Sequence, residues 1–164
     1  MIIGVPKEIK LQEHRVGLTP QSVKALTDKK HEVLVEYNGG FEAGFTNEDY
    51  IKSGAKIIKN PEEIFKKAEL IVKVKEPQTN EVKMIREDQI IYTYLHLAAA
   101  KELTLGLMKT KSICIAYETV TDDKGRLPLL APMSAVAGRM SIQAGAHALE
   151  KNQKGRGLLI GGAP

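Results

Sequence analysis

The chain has 164 residues, enough for one well-packed domain, with 43% hydrophobic and 27% charged residues, both ordinary for a soluble globular protein. Its net charge of +4 comes mostly from scattered lysines, and without tryptophan there is little stacking surface, so no nucleic acid is expected as a partner and a small anion is the better match. No apolar run reaches the about 20 residues of a membrane span, the N-terminus lacks the order of a secretory signal, and the single cysteine, Cys114, forbids an internal disulfide. A cytoplasmic protein with no membrane partner is the expectation.

Taken in order, Ile2–Val5 reads as a first strand, stopped by Pro6. A long polar connection over 7–18 comes next and carries Glu13-His14-Arg15-Val16-Gly17. Thr19-Pro20 opens a helix as cap and first helical residue, with Val23 and Leu26 inward. Residues 32–37 alternate as a second strand; the Gly39-Gly40 break after it lacks the G-x-G-x-x-G spacing and is a loop. Thr46 caps a short helix around Tyr50 and Ile51, closed by Gly54, and 55–58 is a small strand. Asn60-Pro61-Glu62-Glu63 starts another helix, burying Ile64 and Phe65. Residues 70–75 form a strand that ends at Glu76-Pro77, and 80–85 a short helical piece.

The segment 89–100 is apolar on both faces through Leu95, as a central parallel strand should be. His96 falls where that strand ends, and Leu97 opens a helix to about Lys111. A last strand spans 112–117, with Cys114 as an inert buried thiol. Alternating strands and helices, about five strands in all, give an α/β class: a Rossmann-like (flavodoxin-like), mostly parallel sheet with flanking helices. The proline-broken run 127–132 sets a boundary between a domain 1–130 and a segment 131–164. That segment opens with a long helix of small residues to about Lys151. Its glycines suggest close backbone approach, and Val136, Met140 and His147 recur at helical spacing, so the helix is expected to be covered by protein. The sequence then stops at Gly161-Gly162-Ala163-Pro164 with no fold completed and reads as truncated.

Arg15, Lys75 and His96 occupy comparable places, each after a strand, so in a parallel sheet all three project to one rim. A guanidinium grips a carboxylate in a fork, an ammonium polarises a carbonyl or imine, and an imidazole moves protons near neutrality. Together they describe a site for a small keto or amino acid; no metal-ligand set is expected. The plainer alternatives are a solvated Arg15, a core His96, and a Lys73/Lys75 pair marking an exposed sheet edge.

The segments 3–8, 13–16 and 18–20, with Val72-Lys73-Val74-Lys75-Glu76-Pro77, resemble the alanine dehydrogenase and transhydrogenase superfamily. Tyr94-Leu95-His96-Leu97-Ala98-Ala99, Ala116-Tyr117-Glu118-Thr119-Val120 and the run 127–134 leading to Ala137-Gly138-Arg139 are similar to the alanine dehydrogenases within it. The resemblance implies NAD-dependent, reversible conversion of L-alanine to pyruvate and ammonia. It gives Arg15 and Lys75 the substrate, His96 general acid/base work and Ser134 a place at the cofactor, in a family that is usually a homo-oligomer. On this reading 1–130 is the substrate domain and 131–164 the connecting helix and start of an NAD-binding domain. The family's glycine-rich NAD turn and a later aspartate are not in this sequence, so the chain alone is expected to be inactive. Two other readings stand beside it: a transhydrogenase α-type subunit, against which His96 and Lys75 argue, and a non-catalytic assembly or binding module.

Overall fold

Strand β1 (Ile2–Val5) is apolar on both faces and lies inside the sheet, with β2 (Glu32–Glu36) on one side and β4 (Leu70–Val72) on the other. Strands β3 (Lys56–Ile58), β5 (Ile90–Thr93) and β6 (Ile113–Ala116) complete six parallel strands in the order β3-β2-β1-β4-β5-β6. The structure is a computed structural model and describes residues 1–162. They fall into two units, Met1–Thr119 and a second from Val120 onward. The stretch from Val120 to Leu130, which the sequence joined to the first domain, therefore belongs with α6 (Ala131–Leu149).

The two-residue period of the strands sorts their side chains between two cores. Ile3, Val5, Val33, Val35 and Val72 join Val23 of α1 (Pro20–Asp28) and Tyr50 of α2 (Asn47–Lys52). Leu34, Ile71 and Ile91 join Ile64 and Phe65 of α3 (Pro61–Lys67) and Leu107 of α5 (Lys101–Thr110), with Val82 of α4 (Thr79–Val82) against them. The capping residues act as their sequence implies. Thr19 Oγ1 accepts from Ser22 N–H at 3.3 Å, Asn60 Oδ1 from Glu62 N–H at 2.9 Å, and Thr46 forms a capping box with Asp49.

Several expectations are revised. Strand β4 ends at Val72 and β5 at Thr93, so Lys75 and His96 lie on irregular extensions beyond the sheet. The helix after His96 is a 3-10 turn, Leu97–Ala99, and then α5. β4 is an interior strand, and Lys73 just beyond it is wholly buried, which removes the exposed-edge reading. β6 is one of the two edge strands; Ile113 and Ile115 are exposed and Cys114 is half-buried with Sγ 3.5 Å from Ser112 Oγ, not the buried thiol expected.

In the second unit, α6 buries no residue, and Val136 and Met140 are exposed. A Cβ built on Gly138 would meet nothing within 4 Å, and one on Gly145 only Ile160 Cδ1 at 3.9 Å. Neither the cover nor the close approach inferred from its small residues is made by the described residues. The end at Ala163-Pro164 lies outside them.

Candidate functional site

In a doubly wound sheet the loops part at the point where strand order reverses, and ligands gather there. That point is the carboxyl end of the β1–β4 pair. Arg15 reaches it on the loop after β1, and Gly17 lets that loop lie on β4: a Cβ there would stand 2.6 Å from the Val72 carbonyl oxygen. No larger residue fits without moving backbone. Lys75 comes three residues after β4 and His96 three residues after β5, so all three basic groups share the carboxyl-end rim.

Carboxylates join them. Arg15 donates from Nε to Glu13 Oε1 at 2.7 Å and from Nη2 to Glu13 Oε2 at 2.6 Å, a two-pronged pair, while its backbone N–H reaches Oε1 at 3.0 Å. The Glu13 side chain is 7% exposed. The side-chain hydrogen bonds from Arg15, aided by its charge and that of Lys75, hold the Glu13 carboxyl down to about 2. Glu13 and the nearby Tyr94 phenol in turn raise the Arg15 pKa. On the other side of Lys75, Glu76 pairs with Lys10, and its Oε2 is 3.9 Å from His96 Nδ1. Burial works to raise the Glu76 carboxyl, but the hydrogen bond from Lys10 and the charges of Lys10 and Lys75 bring it lower. Glu76 Oε2 is buried without a hydrogen-bond partner among the described residues. The rim thus sets the basic side chains of Arg15, Lys75 and His96 beside the carboxylates of Glu13 and Glu76.

The backbone beneath these groups is held by two further glutamates. Glu8, buried, accepts from Val74 N–H at 2.6 Å and Lys75 N–H at 3.3 Å, and is fixed by the fully buried Lys73 at 3.1 Å. Lys73 also meets Glu81 at 2.7 Å, whose carboxyl burial pushes up. Thr93 Oγ1 donates to the Lys75 carbonyl at 2.9 Å. Glu118 accepts from Leu95 N–H at 3.1 Å and from His96 N–H at 2.7 Å. The sequence showed Glu8, Glu13, Glu76 and Glu118 inside its motifs but assigned them nothing. The readable signal was a glutamate a few residues past the end of a parallel strand.

The space at Arg15 is shallow. The cavity lined by Lys7, Glu8, Glu13, His14, Arg15 and Asn38 has room for about 10 Å³, little more than a water. A larger one of about 440 Å³ lies against α4 and α5 and includes Glu76 but none of Arg15, Lys75 or His96. Ser134 belongs to the second unit, in the opening turn of α6, where its N–H bonds the Leu130 carbonyl at 3.0 Å. That bond spends its amide within the helix, away from any pyrophosphate. Ser134 alone does not make a dinucleotide site among the described residues.

The fold and rim define a doubly wound parallel α/β domain of the kind that collects ligands at the carboxyl ends of its strands. More closely, residues 4–137 match the alanine dehydrogenase/PNT, N-terminal domain, and the chain belongs to that family. It is 51% identical over its whole length to an alanine dehydrogenase of Halomonas elongata and 50% identical to one of Bacillus subtilis, covering 44% and 43% of those proteins. Among solved structures it is similar to an L-alanine dehydrogenase, with a TM-score of 0.87 and 51% identity over all of this chain and 45% of that one. A transhydrogenase from Sinorhizobium meliloti shares the fold at a TM-score of 0.68, with 24% identity over 72% of this chain and 35% of that one. The chain therefore spans less than half the length of the curated relatives it matches.

Proposed function

We propose that this chain is the substrate-holding part of an NAD-dependent L-alanine dehydrogenase, which interconverts L-alanine, NAD and water with pyruvate, ammonia, NADH and a proton. One observation carries the reading: Arg15 and Lys75 already bear on a single carboxylate, that of Glu13. A rim that holds one carboxylate in a guanidinium fork, with an ammonium near enough to favour its charge, can hold that of pyruvate.

In this reading Arg15 and Lys75 bind the substrate carboxylate, and Lys75 draws electron density from the carbonyl or imine beside it. His96 exchanges the proton that the substrate oxygen gains or loses as water adds to the imine and ammonia departs. Glu76 stands on the Nδ1 side of the ring, which leaves Nε2 for that exchange. Hydride chemistry is the cofactor's, with Ser134 as the residue of this chain assigned to touch it. A homo-oligomer in the cytoplasm completes the reading; no described helix is long and apolar enough to cross a membrane.

Calorimetric titration of pyruvate into the chain tests the substrate site. Saturable binding that Arg15→Ala abolishes supports it. No binding to the intact chain, or binding indifferent to Arg15→Ala, overturns it and leaves an assembly module as the better account.

A further inference from the structure

Parallel strands end by leaving their last amide groups unpaired, and here those amides belong to the residues of the proposed site. β5 stops at Thr93; the Tyr94 N–H still finds the Val74 carbonyl at 3.2 Å, but the next two have no strand to meet. Both turn to one carboxylate. Glu118 Oε1 lies 3.1 Å from Leu95 N and 2.7 Å from His96 N, and Oε2 lies 3.2 Å from Leu95 N. Glu118 can reach because β6, the neighbour of β5, ends at Ala116 and passes into a 3-10 turn, Tyr117–Thr119.

Successive amides that converge on one anion lie in a turn or beside a left-handed residue. His96 is that residue, with φ 52° and ψ 37°, a conformation L side chains rarely adopt. Strain of this kind persists where surrounding contacts impose it. A carboxylate also takes two successive amides at the β1–β4 pair, where Glu8, past the end of β1, accepts from Val74 and Lys75 with no left-handed residue beside them.

We propose that Glu118 is a positioning residue for His96. Its carboxylate holds the Leu95 and His96 amides, keeps His96 left-handed and so aims the imidazole over the rim; Glu8 holds the backbone amide of Lys75. The role in aiming rests on the proton-transfer function proposed for His96. Glu118 touches no reacting atom.

Nuclear magnetic resonance on the chain tests this. The Leu95 and His96 amide protons should lie well downfield, as charge-assisted donors do. Glu118→Ala should return both upfield and speed exchange of the His96 amide more than about tenfold. Glu118→Gln keeps an acceptor of the same shape, so it should retain part of the downfield shift, neutral bonds being roughly half as strong. At saturating pyruvate the shift of the His96 imidazole should fall to less than about half in Glu118→Ala, with pyruvate Kd altered less than about threefold because Arg15 and Lys75 remain. A merely structural glutamate would lower the melting temperature and leave that saturated response intact. The proposal is overturned if the two amides do not move in Glu118→Ala, or if the imidazole response at saturation matches the parent chain. Should Glu118→Ala unfold, the amide shifts of Glu118→Gln decide: a shift equal to the parent's overturns the role of the charge. If the parent imidazole ignores pyruvate, the substrate reading falls, and the amide shifts still decide whether Glu118 holds His96.

Discussion

Helix α6 runs for 19 residues without burying one of them, whereas β2, five residues long, buries three. The first unit supplies its own cover, two apolar layers closed by α1 to α3 and α5, and even sinks a lysine with its counter-ions. The second carries a long helix whose exposed Val136, Met140 and Ile142 contribute to no core. Burial therefore divides the chain: the rim groups stand on a packed sheet, while α6 buries none of its residues among those described.

The sharpest way to break this contrast is Lys73→Ala. It leaves Glu8 and Glu81 facing each other without their shared cation, so unfolding in urea should show a loss of about 3–5 kcal/mol. Met140→Ala in α6 should cost no more than about 0.5 kcal/mol. Equal losses at the two sites would end the distinction. Gly17→Ala is next, expected to destabilise by about 1–3 kcal/mol because the new methyl meets the Val72 backbone, and to weaken pyruvate binding by displacing the Arg15 loop. Calorimetry with thermal melting checks both halves.

Gly138→Ala sharpens the other side. Open space around its Cβ means alanine adds helix propensity without a clash, so α6 should gain about 1 kcal/mol, seen as slower amide exchange along the helix. The smallest effect concerns acid. Glu13 titrates near 2 in place of its ordinary 4.5, a depressed value, so its contribution is present above 4.5 and lost as pH falls towards 2. Because the Arg15 partner is half exposed, that contribution is at most about 1 kcal/mol. Stability measured across this pH window should therefore fall less steeply in Glu13→Gln than in the parent.

Much of the first unit was legible because its signals are local. Proline after β1, the Thr19-Pro20 and Asn60-Pro61 helix starts, and strands apolar on both faces each state one element and its neighbourhood. The rim positions of Arg15, Lys75 and His96 came from parallel order alone. The glutamates did not, since whether a carboxylate at a strand end is solvated or turned inward depends on which strand lies beside it. Lys73 misled for the same reason: two lysines at alternate positions look like an exposed face until Glu8 and Glu81 come in from elsewhere. The small residues of α6 stated that something should come close, but not what.

The strand order has a consequence for how the chain is made. Of these six strands β1 is made first and lies third across the sheet, and later strands add outward from it: β2 then β3 on one side, β4, β5 and β6 on the other. Each newly synthesised strand meets an open edge, and none has to be threaded between two that have already joined. The place where growth changes side is the β1–β4 junction, so the pair that carries Arg15 and Lys75 at its rim forms when the fourth strand arrives, before His96 has left the ribosome.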